Sequence, residues 1–334
     1  MAARIVRASE GIEEAVARLR AGELVAFPTE TVYGLGANAL DPAAVARIFT
    51  AKGRPATNPL IVHVADVASA RALSSDWPSV ADLLAARFWP GPLTLVVNKA
   101  ANVPDIVTAG GPTVGVRVPA HPVALDLLRQ AGVPIAAPSA NRSEEVSPTT
   151  AQHVADSLGS FANDLLILDG GSTEVGIEST VLDVSVWPPR LLRLGMVTVP
   201  MLRELTGRIV PGHGPTDAPA APRSPGLMTR HYAPTKPLLT VWPDRLDNVL
   251  RSGDGLWCLP AHTPAPLPQG VVAFAAPPHA GAFARRLYGK LRAMDAAPNI
   301  QRIIIERPPD GPEWAAIHDR LRRAAAPKES QENG

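Results

Sequence analysis

Four short segments of the chain combine turn-forming glycine or proline with polar and charged side chains. They are PTETVYGLGA at 28–37, KGRP at 52–55, PSANRS at 138–143 with SPT at 147–149, and GIEST at 176–180. Lys52 and Arg54 offer positive charge and, in the arginine, forked donors that suit phosphate. Ser139, Asn141 and Ser147 add neutral donors on turns that can surround an anion. Together these residue types indicate a site for an anionic small molecule, and a nucleoside triphosphate fits them best.

Two further side chains stand in otherwise apolar strands. Arg117 lies in VGVRV at 114–118, where a buried guanidinium needs an anion from the protein or from a ligand. His63 lies in the apolar run 60–64, a setting more typical of a satisfied core histidine than of a functional one. Lys52 and Arg54 also have an ordinary interpretation as a solvated pair at a helix end. The residues alone leave these alternatives open.

General catalytic and cofactor motifs do not account for the chain. It has no GxxxxGK[ST] phosphate loop, no HExxH and no GxSxG. GLGANA at 34–39 matches the loose dinucleotide pattern, but it does not follow a strand directly, because Pro28, Thr29, Glu30 and Thr31 intervene. About twenty residues further on, Arg54 stands where a ribose-binding acid is expected. We therefore predict that these glycines lie in an ordinary turn.

The elements that must position these segments alternate between helical and extended patterns up to residue 207. Asp41-Pro42 is typical of a helix start, with a cap followed by a first-turn proline. Several strand candidates are continuously apolar, which is expected when helices cover both faces of a sheet. The pattern predicts an open α/β sheet with the polar segments at strand ends, where such sheets bind ligands. The predicted strands are 24–27, 60–64, 93–97, 113–118, 133–137, 165–168 and 180–184.

A proline-rich segment divides the chain. Prolines recur throughout 208–237 and glycines stand at 212, 214 and 226, which favours extended, semi-rigid backbone. Beyond it the α/β pattern resumes in a unit about half as large, and the chain ends in a polar stretch. We predict domains at 1–207 and 238–326, a linker at 208–237 and a polar tail at 327–334.

Composition narrows the class of protein. The chain has 334 residues, 32 basic and 31 acidic side chains, and a net charge of +1, so bulk electrostatic binding to nucleic acid is not indicated. Its one cysteine, Cys258, excludes an internal disulfide and a cysteine-based zinc site. The first ten residues are too charged for a signal peptide, and no run approaches the roughly 18 apolar residues of a membrane span. We expect a cytoplasmic protein with no membrane partner.

Six motifs in order resemble those of the threonylcarbamoyl-AMP synthase family (YrdC/Sua5). Four are the segments named above; the others are FWPGPLT at 88–94 and SPGLMTRHYAP at 224–234, which is similar to the linker of the two-domain Sua5 branch. The resemblance is strong from residue 5 to about 236. It implies an open twisted mixed sheet with helices (YrdC-like), followed by a smaller C-terminal α/β, Rossmann-like Sua5 domain.

The resemblance also implies an activity. The family are nucleotidyltransferases that make threonylcarbamoyl-AMP and pyrophosphate from L-threonine, bicarbonate and ATP. The product feeds the downstream tRNA threonylcarbamoyl transfer machinery that modifies adenosine 37. No covalent enzyme intermediate is needed, which is consistent with the lack of a nucleophile motif. Mg²⁺ is expected to arrive with ATP rather than in a metal site of the protein, and no tightly bound organic cofactor is expected.

Roles for individual residues follow from the resemblance, motif by motif. The implied catalytic and phosphate-binding group is Lys52, Arg54, Ser139 and Asn141. The implied threonine contacts are Thr31, His63, Arg117, the backbone at Ala137, and Ser179. The implied ATP contacts are Arg54, Asn58, Thr113, Ser139, Ser147, Arg193 and, as part of a lid formed by the linker, Tyr232. The chain departs from the usual family linker at 227, 229 and 230, and it lacks the glycine that commonly follows the serine after Asn141.

Two other functions compete with this one. A double-stranded RNA-binding protein or ribosome-maturation factor of the same fold is the main alternative, and weak RNA binding is left open beside the synthase activity. Balanced charge and scarce aromatic side chains, 4% of the chain, argue against it as the main role. A hydrogenase-maturation carbamoyltransferase shares a related domain but needs cysteine-rich zinc modules, which a single cysteine excludes.

Overall fold

The computed structural model describes residues 3–160, 164–212 and 231–327. Contacts divide the chain into two units, one of Met1–Ser143 and Ser147–Leu227, the other of Glu144–Val146 and Met228–Gly334. Most of the predicted linker and lid, at 213–230, and most of the predicted tail, at 328–334, lie outside the described residues.

The larger unit is built on one mixed sheet. Its strands are β1 (Arg4–Arg7), β2 (Val25–Pro28), β3 (Tyr33–Asn38), β4 (Ile61–His63), β5 (Ser74–Asp76), β6 (Leu93–Lys99), β7 (Thr113–Arg117), β8 (Ile135–Ala136), β9 (Leu166–Asp169), β10 (Thr180–Asp183), β11 (Arg190–Arg193) and β12 (Val210–Pro211). Their order is β1-β9-β2-β3-β8-β4-β7-β6-β10-β11-β12, and β5 pairs with β6 off this path. The sheet contains both parallel pairs, such as β4 with β7, and antiparallel pairs, such as β3 with β8, so the expected open mixed sheet is confirmed.

Helices cover both faces of this sheet. They are α1 (Ala8–Arg20), α2 (Pro42–Lys52), α3 (Val67–Arg71), α4 (Ser79–Phe88), α5 (Asp105–Thr108), α6 (Pro122–Ala131), α7 (Ala151–Leu158) and α8 (Val199–Thr206). Strand β2 shows how the faces separate, because Val25 and Phe27 pack with α1 and α6 while Ala26 joins the core on the opposite face. This alternation follows from the two-residue repeat of a strand.

Strand β3 was not expected, because the sequence analysis treated 28–37 as one polar loop. The chain instead turns sharply after Pro28 and returns as β3, antiparallel to β2. Gly34 and Gly36 made this strand hard to recognise in the sequence, because glycine is uncommon inside strands. A Cβ on Gly36 would lie 2.7 Å from the Phe27 ring and from the Ile135 side chain, so the closely packed sheet excludes any larger residue there. The prediction that the glycines of GLGANA lie in an ordinary turn is wrong, because residues 33–38 form strand β3. A strand at this place is also not the turn from strand to helix that the dinucleotide pattern requires.

Helix α2 brings the first basic side chains into place. The carboxylate of Asp41 accepts hydrogen bonds from the backbone N–H groups of Ala43 and Ala44, and Pro42 opens the helix as expected. Gly53 ends the helix in the left-handed region at φ 59°. The helix therefore stops directly after Lys52, and the chain turns so that Arg54 follows in the loop before β4.

The smaller unit contains a second, parallel sheet. Its strands are β13 (Leu238–Val241), β14 (Asp254–Cys258), β15 (Val272–Ala275) and β16 (Arg302–Glu306), in the order β13-β16-β14-β15. Its helices are α9 (Leu246–Val249), α10 (Ala280–Ala296) and α11 (Ala315–Ala324). A parallel four-stranded sheet with helical connections matches the expected Rossmann-like domain. Across the part of the chain that the structure describes, no helix is long and apolar enough to cross a membrane.

Candidate active site

Backbone hydrogen bonds join the polar segments of the larger unit. Tyr33 donates from its backbone N–H to the carbonyl of Pro148 at 2.9 Å, which ties the start of β3 to the third segment. Gly176 donates to the carbonyl of Thr31 at 3.1 Å, which ties the fourth segment to the first. β2 pairs antiparallel with β3, β3 with β8, and β8 with β4, so the segment that precedes β4 lies at the same edge of the sheet as the segments that follow β2 and β8. The segments thus form one connected cluster of loops.

Lys52 is buried within this cluster and braces the third segment. Its ammonium group donates to the main-chain carbonyl of Ser139 at 2.5 Å and to that of Asn141. The backbone N–H of Ser143 donates in return to the carbonyl of Lys52 at 3.0 Å. In this structure the lysine therefore fixes the shape of the turn that carries the predicted phosphate donors.

Arg54 makes a similar connection on the other side of Gly53. Its Nε donates to the carbonyl of Asn58 at 3.3 Å and its Nη2 donates to that of Pro59 at 3.0 Å. The side-chain oxygen of Asn58 is buried and has no hydrogen-bond partner among the described residues. The two predicted ATP contacts, Arg54 and Asn58, therefore lie side by side in the loop before β4.

The anion that Arg117 requires is Glu30. The Arg117 guanidinium lies 2.6 Å from Oε1 of Glu30, and both side chains are buried. Its Nε donates to the carbonyl of Gly91 at 3.1 Å, and its Nη1 donates to the hydroxyl of Thr31 at 3.0 Å. Arg117 and Thr31, which are both predicted threonine contacts, are thus bonded to each other, and Arg117 is also bonded to the FWPGPLT segment at Gly91. Glu30 was absent from the predicted site, although its place inside the PTET motif was the signal that could have identified it.

His63 lies next to Arg117 in the register of β4 and β7. Burial, and secondarily the positive charge of Arg117, lower the pKa of His63 to about 3. The ring contacts Phe27 edge-on, with 6.3 Å between the ring centroids. His63 is therefore a neutral imidazole at neutral pH, able to offer hydrogen bonds but a poor proton acceptor.

Ser179 is held from two sides. Its hydroxyl lies 2.8 Å from that of Thr94, and Arg193 donates from Nη2 to the same hydroxyl and from Nε to the Ser179 carbonyl, each at 3.0 Å. Next to it, the hydroxyl of Ser147 donates to the carboxylate of Glu178 at 2.7 Å. The sequence analysis gave Thr94 no role, although Thr94 is the last residue of the FWPGPLT segment.

The other predicted residues are spread more widely. The backbone N–H of Ala137 donates to the carbonyl of Ile61 at 2.9 Å, so it lies at the edge where β8 meets β4. Thr113 begins the strand that Arg117 ends, which separates the two residues by about 13 Å along β7. Predicted threonine and ATP contacts are thus found toward opposite ends of this strand.

Tyr232 belongs to the smaller unit. Its ring is buried there and stacks on Tyr288 with 5.5 Å between centroids, and the Arg320 guanidinium lies 5.2 Å from its centroid. Its φ of 61° is in the left-handed region, which is uncommon for a residue with a side chain. The predicted contact of Tyr232 with a nucleotide stays a prediction. In residues 3–160, 164–212 and 231–327, no group of three or more His, Cys, Asp or Glu side chains is arranged to hold a metal ion.

Comparisons with known proteins agree with this architecture. A family model described as "Telomere recombination" matches residues 17–195, and a second, described as "Threonylcarbamoyl-AMP synthase, C-terminal domain", matches residues 197–326. The threonylcarbamoyl-AMP synthase of Pyrococcus abyssi is 49% identical over 244 residues, which are 71% of this chain and 71% of that protein. The Bacillus subtilis protein of the same name is 48% identical over 244 residues, 72% of this chain and 70% of that protein.

A solved structure extends the likeness over both units. The crystal structure of P. abyssi Sua5 complexed with L-threonine matches with a TM-score of 0.85 at 39% sequence identity. The match covers 97% of this chain and 98% of that one. With these matches on both halves of the sequence, the chain belongs to the threonylcarbamoyl-AMP synthase family.

Proposed function

We propose that this chain makes threonylcarbamoyl-AMP and pyrophosphate from L-threonine, bicarbonate and ATP, and that the connected loops of the larger unit form the site of this reaction. The proposal is supported by family membership and by a relative whose structure was solved as a complex with L-threonine. The RNA-binding alternative is not favoured, because the relatives are named as synthases.

The amino acid is assigned to the Arg117 end of the site. Arg117 offers a planar guanidinium that suits the two oxygens of a carboxylate. Thr31 and Ser179 offer hydroxyl groups, and each is held in place by an arginine, Arg117 for the first and Arg193 for the second. His63, neutral by burial, and the backbone at Ala137 complete the proposed threonine contacts.

ATP is assigned to the side of the cluster that carries the basic loop. Arg54 supplies the charge for the phosphates, and Lys52 holds the turn on which Ser139 and Asn141 lie. Ser147 lies on the same connected segment. Asn58, Thr113 and Arg193 are the remaining proposed nucleotide contacts in this unit. We propose that Mg²⁺ enters with the triphosphate, where it neutralises charge on the phosphate oxygens.

The chemistry needs orientation more than a reactive side chain. The amine of threonine combines with bicarbonate and loses water, which gives a carbamate; an oxygen of the carbamate then attacks the α-phosphorus of ATP. The bond to the β-phosphate oxygen breaks, and pyrophosphate leaves with that electron pair. Fixed donors on rigid loops can hold the carbamate in line with the phosphorus and stabilise the charge that develops there.

The chemistry of the product indicates which class of reaction must follow this one. A mixed carbamoyl–phosphate anhydride is an activated acyl donor, so a transferase must consume it. We propose that the consumer is the tRNA threonylcarbamoyl transfer machinery, which places the group on adenosine 37. No tightly bound organic cofactor takes part in this scheme.

One observation supports the proposal more than any other. The turn braced by Lys52 is bonded to the start of β3, because Ala140 donates from its backbone N–H to the carbonyl of Tyr33 at 2.8 Å. Thr31, which accepts from Arg117, lies two residues away. The turn that we propose to bind phosphate and the guanidinium that we propose to bind the amino acid are therefore joined in one hydrogen-bonded network.

The proposed function is tested by measuring pyrophosphate release with purified full-length protein, ATP and Mg²⁺. We expect release to require both L-threonine and bicarbonate, with little activity when either is omitted. Allothreonine, which differs only in the configuration of the hydroxyl-bearing carbon, serves as a matched control for side-chain recognition. Release that continues unchanged without threonine or without bicarbonate would contradict the proposal.

A further inference from the structure

Glu30 and Arg117 form an ion pair almost completely shielded from water. Their exposed fractions are 4% and 3%, and the Arg117 Nη2 lies 2.6 Å from Oε1 of Glu30. Burial of two charges costs free energy that their mutual attraction offsets only when hydrogen bonds also satisfy the remaining donors and acceptors. A buried ion pair whose remaining donors and acceptors lack hydrogen bonds therefore suggests that another group binds there.

The hydrogen bonds are missing on both partners. Neither carboxylate oxygen of Glu30 has a hydrogen-bond partner in the described residues, and the same holds for Nη2 of Arg117, whose contact with Glu30 lacks hydrogen-bond geometry. The Nε and Nη1 of Arg117 are, in contrast, bonded to Gly91 and Thr31. Beyond the ion-pair contact between Oε1 and Nη2, the acceptors of Glu30 and the Nη2 donors of Arg117 thus lie side by side without hydrogen bonds among the described residues. A buried polar group left in this state needs an explanation, and a catalytic role or a bound group that completes it is one of the explanations.

The chemical complement of this arrangement is a zwitterion. An α-amino acid carries an ammonium and a carboxylate on one carbon atom, so each charge can face the opposite charge of a protein pair that is itself in contact. We infer that Glu30 is the anionic contact for the α-ammonium group of the amino-acid substrate, while Arg117 holds its α-carboxylate. This inference rests on the proposed function and adds to it a residue that recognises the amino group.

Other groups near this position are less suited to bind an ammonium. His63 faces the pair from β4, and burial lowers its pKa to about 3, so it is neutral. His121 lies close enough to feel the charge of Glu30, but it is half-buried and carries no negative charge. Thr31 already donates or accepts within its own turn and accepts from Arg117. Of these groups, Glu30 alone offers a negative charge, and its Oε2 has no hydrogen-bond partner among the described residues.

If Glu30 contacts the ammonium group of threonine, it can also accept the proton that this group must lose. Threonine enters as an ammonium, and its nitrogen must lose a proton before its lone pair can form the bond to the carbon of bicarbonate. A Glu30 oxygen in contact with that nitrogen accepts the proton, which breaks the N–H bond and makes an O–H bond. Glu30 then returns the proton to water after the carbamate has formed.

Binding measurements with two ligands test the inference. The ligands are L-threonine and 3-hydroxybutanoate, which is threonine without its amino group, and affinities are measured by calorimetry on the full-length protein. Glu30→Gln removes the charge at nearly constant shape, and Glu30→Asp keeps the charge. Glu174→Gln, at an exposed residue that also lies within electrostatic range of His121, is the matched control.

We expect Glu30→Gln to weaken L-threonine binding about 10- to 100-fold, as for the loss of a charge-assisted hydrogen bond, while 3-hydroxybutanoate changes less than about threefold. Glu30→Asp is expected to retain part of the preference for threonine, and Glu174→Gln all of it. Equal weakening of both ligands in Glu30→Gln would overturn the inference, because Glu30 would then act only by holding Arg117. Unchanged threonine binding would overturn it as well.

A structural measurement covers the case in which the Gln variant does not fold. In a crystal of the unaltered protein soaked with L-threonine, the ammonium nitrogen should lie about 3 Å from a Glu30 oxygen. A nitrogen bound elsewhere would overturn the inference. If pyrophosphate release by the unaltered protein does not depend on threonine, the proposed function itself fails. If that release does depend on threonine, but the Glu30→Gln variant still prefers L-threonine to 3-hydroxybutanoate as strongly as the unaltered protein does, only the role of Glu30 fails.

Discussion

The ammonium group of Lys52 donates to the main-chain carbonyl of Ser139 at 2.5 Å. Lys52 is the last residue of α2, and Ser139 lies just beyond β8, so this bond joins two elements that are 87 residues apart in sequence. The lysine therefore contributes to the site by shaping a turn as well as by its charge. Its removal should affect both stability and nucleotide use.

We predict that Lys52→Ala lowers the free energy of unfolding by about 1–3 kcal/mol, because two buried carbonyls lose a charged donor. It should also raise the KM for ATP, since the turn with Ser139 and Asn141 loosens. Urea denaturation and initial-rate kinetics measure the two effects. Arg47→Ala, on the exposed side of the same helix, is the control and should change neither. An enzyme with normal stability and normal KM for ATP would show that Lys52 is dispensable.

Arg117 is predicted to be essential for threonine. Arg117→Ala leaves Glu30 buried without its cation and should destabilise the fold by about 3–5 kcal/mol. Arg117→Lys keeps the charge but loses the planar fork, so we expect a folded enzyme whose KM for threonine rises at least about tenfold. Thermal unfolding and threonine-dependent pyrophosphate release distinguish these effects. Arg203→Ala, at an exposed position on α8, should behave as the unaltered protein. A lysine variant with an unchanged KM would refute the proposed carboxylate contact.

His63 should make stability depend on pH. Its folded pKa of about 3 lies below the ordinary value of 6.5, so between these values the unfolded chain binds more protons than the folded one. Stability from this residue is therefore fully present above about pH 6.5 and falls as the pH drops, by up to about 1.4 kcal/mol per pH unit. Urea denaturation at several pH values between about 7.5 and 5 should show a steeper fall for the unaltered protein than for His63→Gln.

The control for this comparison is His279→Gln, because His279 is exposed. That variant should keep the full pH dependence. Parallel curves for the unaltered protein and His63→Gln would mean that His63 titrates normally in the folded state.

Thr94 is predicted to position Ser179. Thr94→Val keeps the shape of the buried side chain and removes the hydroxyl that lies 2.8 Å from that of Ser179. We expect a stability loss of about 1 kcal/mol and a severalfold lower kcat/KM for threonine, with the KM for ATP little changed. Thr50→Val, at an exposed position on α2, is the matched control. A variant that loses ATP affinity instead would place Ser179 on the nucleotide side.

The sequence could predict the scaffold well and the site in part. Continuous apolar runs identified the inner strands because such runs need cover on both faces, whereas β3 was missed because its glycines and threonine neighbours resemble a turn. Arg117 was recognised as needing an anion, but the pairing register that brings Glu30 to it depends on contacts 87 residues apart. The sequence could not show that Lys52 bonds to backbone carbonyls, since backbone groups leave no trace in residue types.

Isotope incorporation tests the central claim most directly. The full-length protein is incubated with [¹³C]bicarbonate, [¹⁵N]L-threonine, ATP and Mg²⁺, and the nucleotide products are analysed by mass spectrometry. We predict an adenylate that carries both labels, formed in equal amount to the pyrophosphate released. Pyrophosphate or AMP formed without a doubly labelled adenylate would contradict the account.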